Sequence, residues 1–141
     1  MEGRMKLEGT CHCGNIAIVL ETSQDARQLP LRECDCSFCR RHGSRTTSDP
    51  AGQARIGVQD RSLLSRYSFG LRVSEMVVCA RCGMYAGAVM REGDRGWAVL
   101  NVNLFLDPAF DRPAQRMSYG GETAEQRIAR RKRQWTPLLE S

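Results

Sequence analysis

The sequence predicts a mainly β domain, antiparallel sheets tied together by bound metal, with one short C-terminal helix. Three observations carry that reading. Apolar residues fall in short runs bounded by glycine, proline or polar turns, which is the pattern of strands. Cysteines recur in closely spaced sets that can supply metal ligands between such strands. Only 123–135 joins a capping signal to helical periodicity. With 141 residues, 41% hydrophobic and 26% charged, the chain 1–141 reads as a single globular domain, its core over 9–107 and a C-terminal extension carrying the helix.

In chain order, GTCHCG (9–14) sets Cys11 and Cys13 one residue apart between glycines, which permits a tight chelating turn. NIAIVLE (15–21) follows as a strand with apolar residues on both faces. His12, between two ligands, points away from any ion they hold. TSQDARQLP (22–30) is a polar connection, and LREC leads as a short extended piece into CDCSFCRRHGS (34–44). Within that loop Ser37 can cap a short helix that Gly43 ends. SRTTSDPAGQAR (44–55) lacks periodicity and reads as a mobile loop shaping access to the neighbouring site.

From residue 56, IGV, SLLSRYSFG and LRVSEMVV are strand-like runs, the last delivering the Cys79/Cys82 knuckle in CARCG. MYAGAVM (84–90) and GWAVLNVNLFL (96–106) form two more strands joined by the hairpin connection REGDR. Asp107-Pro108 ends the second, and a polar stretch runs to Gly120-Gly121. Thr123 and Gln126 then form a capping box, and Pro137 bars continuation of the helix. Ala124, Ile128, Arg131 and Trp135 share its inner face. Arg127, Arg130, Lys132 and Arg133 are expected on a solvated basic one.

Seven cysteines split into four plus three. Cys11, Cys13, Cys79 and Cys82 suit a closed tetrahedral site that clamps the first strand to the later meander. Cys34, Cys36 and Cys39 leave one coordination position open, the pattern of catalytic zinc. Three alternatives stand beside this. His42 could close the second site into a zinc knuckle, the triad could share an ion with one pair, or unbound thiols could serve as buried cysteines or a redox sensor.

The net charge of +5 is a weak argument for nucleic acid. Seven thiolates subtract seven and two divalent ions add four, so the charge falls by three and about +2 remains. Of the 21 basic residues, 19 are arginines, and Arg40 and Arg41 abut the metal loop where they could receive a carboxylate. MEGRMKLEGT carries charges where a signal peptide needs an apolar core, and no run approaches the roughly 18 apolar residues of a membrane span. A cytoplasmic protein with reduced thiols is the expectation.

The order of motifs resembles the glutathione-dependent formaldehyde-activating enzymes and their relatives with the centromere protein V domain. GTCHCG resembles that family's opening Cys-His-Cys-Gly, CDCSFCRRHGS its Cys-x-Cys-Ser-x-Cys-Arg segment, CARCGMYAG its closing Cys-x-x-Cys-Gly, and VLNVNLFLD the strand that follows. The resemblance covers 9 to about 107; RIARRKRQWTPL lies outside it. It implies tent-like folded sheets, structural zinc at Cys11, Cys13, Cys79 and Cys82, and catalytic zinc at Cys34, Cys36 and Cys39. The implied activity is that of a carbon–sulfur lyase forming and cleaving S-hydroxymethylglutathione from glutathione and formaldehyde. The rival expectation is a non-catalytic zinc domain whose arginine-rich helix binds an acidic partner or nucleic acid.

Overall fold

The computed structural model describes residues 4–139; residues 1–3 of the charged opening segment and residues 140 and 141 lie outside them. Two sheets form the body. In the smaller, β1 (Met5–Thr10), β2 (Ile16–Thr22) and β5 (Gln53–Val58) pair antiparallel, with β2 in the middle. Ile16, Ile18 and Leu20 of β2 are fully buried while Ala17, Val19 and Glu21 are half-buried, so the period-two alternation sends the branched residues into the core.

The larger sheet has the order β10 (Gln115–Met117), β3 (Arg32–Cys34), β4 (Thr46–Thr47), β9 (Arg95–Asn101), β8 (Tyr85–Glu92), β7 (Glu75–Cys79) and β6 (Leu64–Tyr67). All its ladders are antiparallel except β10 with β3, and β11 (Thr136–Pro137) adds a short pairing to β9. The hairpin expected between MYAGAVM and GWAVL is present, its turn passing through Gly93 at φ 63° with Glu92 opposite Arg95.

β9 shows how one strand serves two cores. Ala98 and Leu100 join the cluster with Ile16, Ile18 and Leu20, against the smaller sheet. Trp97 and Val99 face the other way, into a cluster with Met76, Met90 and Trp135. That second face is covered by α1 (Ser37–His42) and α2 (Ala124–Gln134). α2 begins as its sequence requires: Thr123 accepts from the Gln126 N–H at 3.1 Å, and Gln126 accepts from the Thr123 N–H at 2.9 Å. Ile128 and Trp135 dock it on the sheet.

Three expectations are corrected. GWAVLNVNLFL is a strand only to Asn101, whose side chain accepts from the Asn103 N–H and turns 102–104 into a 3₁₀ helix. The expected mobile loop 44–55 is tied down: Thr47, Ser48 and Asp49 are buried, and β5 already begins at Gln53. Asp49 Oδ2 accepts from Thr22 Oγ1 at 2.6 Å, its N–H donates to Thr136 Oγ1, and Ser48 Oγ donates to the Gln134 carbonyl. The polar stretch before Gly120 contains β10, which extends the sheet beside the metal loop.

Candidate metal centres and an arginine-lined cavity

The seven thiols gather as four and three. The Sγ atoms of Cys11, Cys13, Cys79 and Cys82 all lie within 4.8 Å of one another, and so do those of Cys34, Cys36 and Cys39. None is in a disulfide. In the first group Cys11 and Cys13 are 3.8 Å apart and Cys13 and Cys79 3.5 Å. Four sulfurs at about 2.3 Å from a tetrahedral ion stand roughly 3.8 Å apart, so the spacing fits such an ion.

Both halves of this cluster come from knuckles built alike. The β1–β2 turn passes through Gly14 at φ 85° just after Cys13, and the β7–β8 turn through Gly83 at φ 82° just after Cys82. A residue with a Cβ is strained in that conformation. The Ile16 N–H donates to Cys11 Sγ at 3.3 Å and the Cys82 N–H to Cys79 Sγ at 3.4 Å, which orients and stabilises sulfur as thiolate. Because one knuckle belongs to the smaller sheet and the other to the larger, a metal here joins the two.

The triad is built from one segment. Cys34 ends β3, Cys36 is the N-cap of α1, and Cys39 lies on its inner side. Cys34 Sγ accepts from the Cys36 N–H at 3.5 Å and Cys36 Sγ from the Cys39 N–H at 3.4 Å. Without metal, the hydrogen bond from the Cys39 thiol holds Cys34 down at about 6 despite its burial, and the same bond, with burial, pushes Cys39 up. A divalent ion would hold all three as thiolates.

No histidine or carboxylate among the described residues joins these three sulfurs. His42 is exposed, with its ring 4.4 Å from that of Phe38. Arg40 and Arg41 do not face the site as expected. With Cys39 turned inward, the next two helical positions rotate outward; both are exposed, and Arg41 donates back to the Ser37 carbonyl.

A cavity of about 170 Å³ opens directly on the triad, with Cys34, Cys36 and Cys39 in one wall. Phe69, Met76, Val99 and Trp135 supply apolar surface, and Arg32, Arg127, Arg130 and Arg131 bring positive charge. The four-cysteine cluster contributes nothing to these walls. Tyr85 reaches the cavity through an irregularity in pairing: Val77 opposes Gly87 but Val78 opposes Tyr85, so Ala86 is an extra residue. The bulge puts Tyr85 on the same face as Ala88 and Met90. Burial raises the Tyr85 pKa well above its ordinary value, so the hydroxyl keeps its proton.

Of the α2 arginines, sequence reasoning misplaced Arg127 and Arg130, whereas Arg133 is exposed as expected. Arg127 and Arg130 turn back to Glu122, which accepts from Arg130 Nε at 2.7 Å and Arg127 Nε at 3.1 Å. Arg130 also stacks on Tyr119, 3.6 Å from the ring centroid. Arg131, expected on the docking face, is buried beside Trp135. The missed signal was Glu122 one residue before the cap, with Arg127 and Arg130 five and eight residues after it, within reach of its carboxylate.

No known protein family's sequence profile matches the chain. A Rhodobacter sphaeroides protein of known crystal structure is similar in fold, with a TM-score of 0.61 and 28% identity over 78% of this chain and 99% of that one. Among the described residues, no helix is long and apolar enough to cross a membrane.

Proposed function

We propose that the chain is a zinc-dependent enzyme of the carbon–sulfur lyase type, acting on the adduct of a thiol and an aldehyde. The observation that carries this reading is the difference between the two thiol clusters. One has four sulfurs and takes no part in the walls of the arginine-lined cavity; the other has three sulfurs, no fourth protein ligand among the described residues, and that cavity at its side. All-sulfur donor sets of this kind suit zinc. The four-cysteine ion would be structural, and the ion on Cys34, Cys36 and Cys39 catalytic.

An ion on that triad would supply Lewis acidity and favour the thiolate form of a substrate sulfur. In the cleavage direction the carbon–sulfur and hydroxyl O–H bonds break, the C=O bond forms, and the sulfur takes the proton. No electrons are gained or lost, so no redox partner is required. Tyr85 keeps a proton that it can donate in a hydrogen bond to the carbonyl oxygen. Phe69, Met76, Val99 and Trp135 limit the water that reaches the reacting atoms.

The motif order points to S-hydroxymethylglutathione, made from glutathione and formaldehyde, as the model adduct, and reduced thiols point to the cytoplasm. The rival, a scaffold whose basic helix binds an acidic partner or nucleic acid, loses its main support. Arg127, Arg130 and Arg131 line the cavity, and Lys132 pairs with Glu92 at 2.7 Å.

Exchange of formaldehyde with glutathione and with smaller thiols, followed by NMR on zinc-loaded protein, tests the proposal. Acceleration by the wild type that is lost in Cys36→Ser is expected. A protein with two zinc ions per chain that accelerates none of these exchanges would overturn it.

A further inference from the structure

Arg131 is a buried cation with no ion pair among the described residues. It is 9% exposed, yet among the described residues no carboxylate lies within ion-pair distance of it. Its NH1 donates to Ser74 Oγ at 2.9 Å, its guanidinium lies 4.4 Å from the Trp135 ring centroid, and its Nε is buried with no hydrogen-bond partner. The nearby carboxylate, Glu122, is already shared by Arg127 and Arg130. Arg32, half-buried in the cavity lining, likewise bonds a hydroxyl, Ser48 Oγ at 3.0 Å, and makes no ion pair among the described residues.

Burying an unpaired guanidinium is costly, and a residual N–H donor without an acceptor adds to the cost. Burial, reinforced by Arg130 and Arg127, accordingly lowers the Arg131 pKa to about 10, which still leaves it charged at neutral pH. Such a group in a cavity wall is a seat for a ligand's negative charge. The guanidinium fork matches a carboxylate, and the surrounding walls of Phe69, Met76, Val99 and Trp135 suit a monoanion better than a phosphate dianion.

Size restricts the ligand further. A cavity of about 150 Å³ encloses a molecule as small as benzene, so about 170 Å³ here encloses a ligand of roughly six to eight heavy atoms. Glutathione has about three times that number, so only its thiol end would fit within and the rest would project from the mouth.

We infer that Arg131, assisted by Arg32, seats the carboxylate of a small substrate whose other end meets Cys34, Cys36 and Cys39. The substrate class is then a thiol–aldehyde adduct with a carboxylate on one half, small enough to be enclosed. This rests on the lyase reading for its reacting end; the carboxylate seat stands on Arg131 alone. The carboxylate belongs to the thiol half or to the aldehyde half, and the two are separable.

Calorimetric titration of the zinc-loaded full chain tests the inference, with mercaptoacetate, its uncharged analogue 2-mercaptoacetamide, glyoxylate, acetate, inorganic phosphate and glutathione as probes. A charged small probe is expected to bind about tenfold or more tighter than 2-mercaptoacetamide. Arg131→Gln should erase that preference and leave the amide's affinity unchanged, with Arg131→Lys restoring part of it. Preference for mercaptoacetate places the carboxylate on the thiol half, and preference for glyoxylate on the aldehyde half. Should Arg131→Gln fail to fold, Arg32→Gln must reduce the preference instead.

Equal binding of charged and neutral thiols, or a preference that survives Arg131→Gln, overturns the inference. So does phosphate binding more tightly than every carboxylate, or glutathione binding far more tightly than mercaptoacetate. If acetate binds in an Arg131-dependent way while no carbon–sulfur exchange is accelerated, the anion seat stands and the lyase reading falls. If neutral thiols exchange as fast as charged ones, the lyase reading stands and the seat falls.

Discussion

Replacing Cys79 by Ser should destabilise the fold far more than replacing Cys36 by Ser, because the two clusters tie together different things. Cys79 belongs to the larger sheet, and its partners Cys11 and Cys13 to the turn of the smaller one, so its loss weakens a link between sheets. Structural zinc contributes an apparent 10–16 kcal/mol in small zinc domains, so one of four ligands is worth about 3 kcal/mol. Against a total stability of about 5–15 kcal/mol that is a large fraction, a fall in melting temperature of about 10 °C. The triad lies within one short segment, 34–39, so a metal held there would link nothing distant. Serine is moreover a good N-cap, so Cys36→Ser can keep the bond from the Cys39 N–H and should cost less than about 1 kcal/mol. Thermal unfolding of both metal-loaded variants, followed by circular dichroism, measures the contrast. Equal shifts, or an unshifted Cys79→Ser, would refute the assignment of a structural site to the first cluster.

Other predictions concern the frame. A Cβ on Gly87 would sit 2.5 Å from the Val99 carbonyl oxygen, so Gly87→Ala must force β8 and β9 apart at a cost of about 2 kcal/mol or more. Gly57→Ala, with nothing within 4 Å, should change stability by about 0.5 kcal/mol or less; urea denaturation compares them. Asp49→Ala leaves the buried Thr22 hydroxyl and the Ala51 N–H without their acceptor, and should lower stability by about 2–3 kcal/mol in the same assay. The hydrogen bond from Arg130, then that from Arg127, depresses the Glu122 pKa below its ordinary 4.5. Its pairing therefore adds stability above that pH, and the contribution is lost as pH falls through the lower folded value. Unfolding measured between neutral and acid pH should show that loss in the wild type and lack it in Glu122→Gln.

The partition of the thiols was legible because it is local: chelating pairs and triads declare themselves by spacing, and Gly14 and Gly83 mark the turns. The capping box at Thr123 and Gln126 was legible for the same reason. What the sequence concealed depends on distant partners. Ser48 and Asp49 look like loop residues until Gln134 and Thr136, nearly ninety positions later, satisfy their polar atoms. The cavity's arginines were hidden likewise, since helical periodicity places Arg127 and Arg130 on an outer face and cannot reveal that Glu122 and Tyr119 draw them back over the site. Arg40 and Arg41 were chosen for adjacency in sequence, and the turn of α1 rotates them away.

Cobalt substitution separates one closed and one open thiol cluster from every alternative arrangement. Two cobalt ions per chain with tetrahedral sulfur spectra are expected, of which one alone changes when mercaptoacetate is added, and Cys36→Ser should remove that responsive signal while sparing the other. A single ion per chain, or two spectra indifferent to any small thiol, would contradict that arrangement.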